Sequence, residues 1–498
     1  MGKAWFTYKT PESLRAAALE LGVGQDVEVD SELSGLLEPL VVAGRRLGNR
    51  LAIHPMEGCD GTADGRPDEL TFRRWERFGA GGCKLIWGEA VAILEEARAN
   101  PRQLWLHENS LAEMARLVEA LRKAHRAAWG AQGCDDLLVG CQLTHSGRYS
   151  YRRPLIVQRD PVLDAGTLVT GPDGVKVPLP AGYPVLSDDD LKRIEDQYLA
   201  AAKLAVKCGF DFIDIKQCHR YLCSELLAAK TRPGSYGGSL ENRTRLQRNV
   251  FGRIRAEVSQ EVLLATRMNV FDGVPYQKAA DGIGVPRPYP IPYRCSFGVA
   301  ESDPLRPDLS EPKQAIGMLS AAGVALFNIS MGNPYANPHI GRPNEKPPLD
   351  AYDNPEHPLL GVARHFRVAG ELQSAFPELP MVGTGYSWLQ HHFLACGAAN
   401  VRRKRITLVG VGRGAFAYPD FVRDLREHGR IDAAKVCIAV SSCTALMRAK
   451  GNALGQFPSG CVPKDKFYGP LYRHAINAYH KGNRPGTVDS ADLEHPPK

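Results

Sequence analysis

Between positions 216 and 221 the chain places Lys216, Cys218, His219, Arg220 and Tyr221. A lysine is a compact cation that can polarise an oxygen, a histidine ring can donate or accept a hydrogen bond, and a phenol can deliver a proton. Whether these residues form a reaction centre, and what Lys216 does in it, depends on where the fold places them. Cys218 and the nearby Cys223 read as packing thiols rather than nucleophiles. The stretch then runs into "RPGSYGGSLENRTR", residues 232–245, a glycine turn followed by charged residues.

The elements that must position these groups are short apolar runs rich in β-branched residues: 51–56, 83–90, 137–145, 210–216, 262–270, 324–332, 380–385 and 406–412. Helical patterns alternate with them, including 111–129 and 188–209, the second opened by Ser187 and three aspartates and closed by Gly209. Strands that are apolar throughout and alternate with helices belong to a parallel sheet covered on both faces. Eight such units predict a (β/α)8 TIM barrel, enlarged by loop insertions and followed by a C-terminal extension bearing cysteines. A doubly wound sheet would want G-x-G-x-x-G after a strand, and "VGVGRGAF" has the wrong spacing. Two Pro-rich insertions, 152–184 and 284–312, follow strands three and five, where they would be either walls of a pocket or passive loops.

Polar residues recur where these strands end, in a barrel whose interior is otherwise branched and apolar. His54, Met56 and Glu57 end the first, Glu89 the second, and Gln142, His145 and Arg148 the third. Lys216, His219 and Tyr221 follow the fourth, Arg267 lies late in the fifth, and Asn328 and Ser330 in the sixth. The last two strands end in the glycine-rich turns "VGTGYS" and "VGVGRGAF", with Arg413 in the second. Loops after strands seven and eight commonly bind phosphate through backbone N–H groups, so a phosphorylated cofactor or substrate is expected at this rim.

The 498 residues are 44% hydrophobic and 23% charged, with a net charge of only +7, which describes an ordinary globular chain and gives no reason to expect nucleic acid or membrane as partner. The N-terminal stretch lacks a signal peptide's apolar core, and a cytoplasmic location is expected. The twelve cysteines read as reduced thiols rather than a disulfide framework.

The motifs "NRLAIHPMEG" (49–58), "GGCKLIWGEA" (81–90), "QLTHSGR" (142–148), "RPGSYGGSLENRTR" (232–245), "MGNPYANPHIGRP" (331–343) and "GVGRGAFAYPDF" (410–421) resemble the old yellow enzyme (NADH:flavin oxidoreductase) family. The likeness is to the branch related to bacterial dienoyl-CoA reductase and trimethylamine dehydrogenase, over roughly residues 40–425. It implies an N-terminal extension over 1–40, an FMN-binding barrel over 41–425 and a tail over 426–498. By the same resemblance Pro55, Met56 and Glu89 border the isoalloxazine of FMN, Gln142 and Arg267 hydrogen-bond its polar edge, and Gly385, Gly412 and Arg413 hold its phosphate. The alternative for Gln142 and Arg267 is a core polar pair. His219 and Tyr221 occupy the family's substrate-binding and proton-donating positions, whereas Lys216 replaces a histidine and is either an electrophilic stabiliser or the partner of an acid such as Glu57 or Asp214.

In related members four tail cysteines hold an iron–sulfur cluster. This chain keeps Cys437, Cys443 and Cys461 but has Val440 at the second ligand position, so the simplest reading is a relict without a cluster, with a labile cluster or zinc as the alternatives. No further nucleotide-binding domain is expected after the tail, and electrons are expected from NAD(P)H directly or from a protein partner. The favoured reading is an enzyme that transfers hydride from flavin N5 to an activated C=C bond with Tyr221 as proton donor. The alternatives are FMN-dependent oxidation of an amine or alcohol, passing electrons to a partner, and a flavin-binding barrel that has lost turnover. A small-molecule substrate and assembly as a homo-oligomer are expected.

Overall fold

The computed structural model describes residues 4–170, 175–348, 351–449 and 451–480, so part of the first insertion (171–174) and of the tail (481–498) lies outside the described residues. The eight apolar runs form β1 (Leu51–Ile53), β2 (Leu85–Ile86), β3 (Leu138–Thr144), β4 (Phe212–Ile215), β5 (Leu263–Asn269), β6 (Leu326–Ser330), β7 (Met381–Gly383) and β8 (Leu408–Val411). They pair in parallel in the order β2-β1-β8-β7-β6-β5-β4-β3, and a β2–β3 ladder closes the ring. The chain is therefore the (β/α)8 barrel that its alternating pattern predicts.

Alternation across the pleat builds the barrel. Leu51 and Ile53 face the surrounding helices, while Ala52 joins Leu85, Trp87, Phe212, Leu263 and Leu408 in the packed interior. Trp87 meets Phe212 edge-to-face at 4.8 Å between ring centroids. Gly140 makes room for this pair, since a Cβ there would fall 2.0 Å from the Phe212 ring. The outer helices include α1 (Glu69–Gly81), α2 (Leu111–Trp129), α3 (Asp188–Lys207) and α4 (Arg245–Glu257). Ser187 and Asp190 form a reciprocal capping box that starts α3, and the helix ends at Lys207, short of Gly209.

Every barrel strand is shorter than its apolar run, because the last residues of each run leave the ladder. The ends of the chain pack on this scaffold. Trp5 donates its backbone N–H to Glu345 at 2.6 Å, and Asp465 in the tail pairs with Arg73 and Arg77 of α1 at 2.9 and 2.7 Å. Among the described residues no helix is long and apolar enough to cross a membrane.

Candidate active site

A cavity of about 720 Å³ opens at the C-terminal ends of the strands. Pro55 and Met56 reach it after β1, Gln142 from β3, Lys216, His219 and Tyr221 after β4, Arg267 from β5, Gly385 after β7, and Gly412 and Arg413 after β8. The barrel register explains the first cluster. Gln142 lies beside Asp214 across the β3–β4 ladder, and the buried Asp214 carboxylate accepts from Gln142 Nε2 and Trp87 Nε1, both at 2.6 Å, and from the Arg267 backbone N–H at 2.9 Å. Burial pushes the Asp214 carboxyl up to about 6. With its NH2 group given to Asp214, Gln142 turns its carbonyl oxygen to the cavity. The Arg267 side chain makes no hydrogen bond to another described residue, and its Nε is buried without an acceptor. Gln142 and Arg267 therefore do not form a core pair with each other; they present an acceptor and an unmatched cationic donor to whatever fills the cavity.

The other end of the cavity is built to take an anion. Among the described residues the N–H groups of Gly385, Gly412 and Arg413 find no protein acceptor. Gly385 has φ 96°, and a Cβ there would meet the His365 ring carbons and Cβ at about 3 Å, so only glycine fits the turn. Burial and then the neighbouring Arg342 pull the Arg413 guanidinium down to about 10, and Arg342 itself has Nε and Nη1 without acceptors. Free N–H groups and two desolvated guanidiniums fit a phosphate group.

Between these ends stand the candidate catalytic groups. His219 and Arg220 both take positive φ, 67° and 59°, a strained arrangement for non-glycine residues. Arg220 is what clamps it, through buried ion pairs to Asp160 at 3.0 Å and Asp272 at 2.9 Å. The sequence offered no signal for that role beyond the residue's position in the stretch. Burial, then Lys216 and Arg267, hold the His219 ring well below its ordinary value, so it is neutral. Lys216 Nζ lies 3.5 Å from Glu57 Oε1 and 3.8 Å from the centroid of the Tyr221 ring. Lys216 thus has the acid partner expected of a buried lysine and still faces the cavity. Burial and the Glu57 charge raise the Tyr221 phenol well above its ordinary value, so it keeps its proton.

Two groups of expectations are corrected. Glu89 does not line the cavity; its neighbour Ala90 does. The Glu89 carboxylate accepts from Arg74 Nη2 at 2.7 Å and Trp75 Nε1 at 3.0 Å beneath α1, and burial pushes it up to about 7. Replacing Arg74 by methionine strands Glu89 and Asp60, and is expected to destabilise the fold by about 3–5 kcal/mol, read as a lowered denaturant midpoint. His145, Arg148, Asn328 and Ser330 also stay out of the cavity: Arg148 is locked to Glu225 at 2.5 Å and Asp164 at 2.6 Å, and Asn328 holds His54 at 2.9 Å. Of the two insertions, only the second reaches the cavity among the described residues, through Arg287.

Among the described residues no group of three or more His, Cys, Asp or Glu side chains is placed to hold a metal ion, so Cys437, Cys443 and Cys461 do not assemble as ligands. Arg342 Nη2 donates to Cys437 Sγ at 3.4 Å and Arg413 stands against Cys443, so two of these thiols face guanidinium groups. The tail has another use. Ser441, Thr444, Gln456 and Ser459 line the cavity, and the Ser459 N–H bonds the Gly58 carbonyl at 2.6 Å, so this segment is one of its walls. Tyr335, in the "GNPYANPH" loop after β6, is a lining residue that strand-end reasoning missed.

The architecture matches solved structures. It aligns with 2-naphthoyl-CoA reductase in complex with 2-naphthoyl-CoA at a TM-score of 0.63 and 17% identity, over 90% of this chain and 59% of that one. An old yellow enzyme homologue from Zymomonas mobilis aligns at 0.55 and 20% identity, over 80% of this chain and 94% of that one. In sequence the chain is 28% identical to an NADH:flavin oxidoreductase of Gibberella zeae over 51% of this chain and 61% of that protein. It is 26% identical to an NADPH dehydrogenase of Halalkalibacterium halodurans over 57% of this chain and 84% of that protein. The chain thus spans under two thirds of the fungal relative and of the naphthoyl-CoA reductase. Residues 35–283 match the NADH:flavin oxidoreductase / NADH oxidase family, and the chain belongs to that family.

Proposed function

We propose that this chain binds FMN in its barrel mouth, accepts reducing equivalents from NAD(P)H, and reduces a C=C bond activated by a carbonyl group. One observation carries the reading: the cavity joins a phosphate cradle and an unmatched arginine to a donor set of Lys216, His219 and Tyr221. Gly385, Gly412, Arg413 and Arg342 would hold the phosphate, Gln142 and Arg267 the polar edge of the ring system, and Pro55, Met56 and Ala90 its border. Bound FMN, once reduced, supplies the hydride.

The remaining chemistry belongs to side chains. Neutral His219 donates a hydrogen bond to the activating oxygen, Lys216 adds a positive charge to stabilise the enolate-like state, and Tyr221 gives its proton to the α-carbon. Lysine and arginine side chains at seven positions line the cavity against a single carboxylate, Glu57, among the described residues. More cations than one phosphate can use support a substrate that itself carries negative charge. The similarity to NADPH dehydrogenases and to a naphthoyl-CoA reductase supports the same class of reaction. The division at residues 40/41 and 425/426 goes with this reading, as does assembly of the barrel as a homo-oligomer.

Anaerobic stopped-flow mixing of the FMN-loaded protein tests it. NADPH or NADH is expected to bleach the flavin absorbance, and an enone such as 2-cyclohexenone to restore it. Protein that takes up no FMN would overturn the whole reading. Flavin bleached by an amine or alcohol but not by NAD(P)H would leave the oxidative alternative in its place.

A further inference from the structure

We propose that Tyr335 is a relay residue that returns a proton to Tyr221 after each turnover, an inference that rests on the reading of Tyr221 as proton donor. Tyr221 is only 2% exposed, and a substrate in the cavity closes its remaining access to water. Its hydroxyl has one hydrogen-bond partner among the described residues, the Tyr335 hydroxyl at 3.0 Å. Tyr335 is 46% exposed and so links the buried phenol to the solvent side of the cavity.

The link is held rigidly. The Tyr335 ring stacks on Tyr149 at 4.3 Å between centroids, and the Asn333 side chain donates to the Tyr149 hydroxyl at 2.6 Å while accepting the Tyr335 backbone N–H at 2.8 Å. One asparagine thereby fixes both rings. Lys216 Nζ, over the Tyr221 ring face, offers a positive charge to the phenolate while it exists.

The step balances. The Tyr221 O–H bond breaks as the C–H bond at the substrate α-carbon forms. The Tyr335 O–H bond then breaks as the Tyr221 O–H re-forms, and the Tyr335 phenolate takes a proton from water. Transfer between two phenols of like intrinsic acidity needs little driving force. No redox partner is required beyond NAD(P)H and the alkene already named.

Tyr335→Phe in the FMN-loaded full chain tests the relay, because phenylalanine keeps the stack on Tyr149 and removes only the hydroxyl. The first turnover of pre-reduced enzyme with 2-cyclohexenone draws on the proton already on Tyr221 and is expected to stay within about twofold of wild type. Steady-state turnover is expected to fall about 10-fold, with a larger solvent isotope effect, and Tyr335→His is expected to restore part of it. Without reference to activity, the Tyr221 13Cζ resonance in labelled protein is expected to shift in Tyr335→Phe. Equal steady-state rates and isotope effects would overturn the relay alone, and so would a first turnover slowed as much as the later ones. A wild-type protein that turns over no enone would instead sink the parent reading and the relay with it.

Discussion

Arg413→Ala is expected to raise the dissociation constant for FMN by about 100-fold or more, equivalent to roughly 2.7 kcal/mol. The argument is one of desolvation. The Arg413 guanidinium sits against Arg342 with its acidity raised by burial, a costly arrangement for two like charges unless a dianion belongs between them. Charge-assisted hydrogen bonds to such a dianion are worth about 1.5–3 kcal/mol each. The Arg342 donors without acceptors can take over part of the load, so Arg413→Ala with Arg342→Ala is expected to strip the flavin entirely during gel filtration. Quenching of FMN fluorescence on titration into apoprotein measures both, and an unchanged affinity in the double variant would place the phosphate elsewhere.

How much of this was legible in the sequence depends on the range of each interaction. The barrel was, because eight runs that are apolar on both faces leave few other architectures, and the ladders close as expected. So was most of the rim, since polar types at strand ends have no place in the interior. Glu89 shows the limit of that logic: β2 is two residues long, so a reading along its run is uncertain by one position, and one position turns a side chain from the cavity to α1. The tail shows another. The missing ligand at Val440 could be read locally, but the partner of Cys437 could not, because Arg342 lies 95 residues away from it. Tyr335 and Tyr221 are 114 residues apart, and Arg220 finds its acids at separations of 60 and 52, so neither the relay nor the clamp leaves a local trace.

Tyr221→Phe is expected to slow reoxidation of the reduced flavin by an enone about 10²–10⁴-fold while leaving its reduction by NAD(P)H unchanged. The separation follows from where the phenol sits. In the proposed reading Tyr221 serves the substrate, whereas Gln142, Arg267 and the phosphate cradle, which line the same cavity, would hold the cofactor. Burial, Glu57 and Tyr335 all favour the protonated phenol, so wild-type reoxidation is expected to show no loss from Tyr221 ionisation up to pH 9. His219 bears on the acid side. A histidine whose pKa is lowered is neutral at every pH above its shifted value, so the profile is expected to lack the inflection near 6.5 that an ordinary histidine would give. An inflection there in wild type, absent in His219→Asn, would show a charged ring on the substrate oxygen and assign to His219 the role that Lys216 now fills. A Tyr221→Phe variant that reoxidises at the wild-type rate would leave the α-carbon proton to come from solvent, and the Tyr221–Tyr335 hydroxyl pair would then have only a structural use.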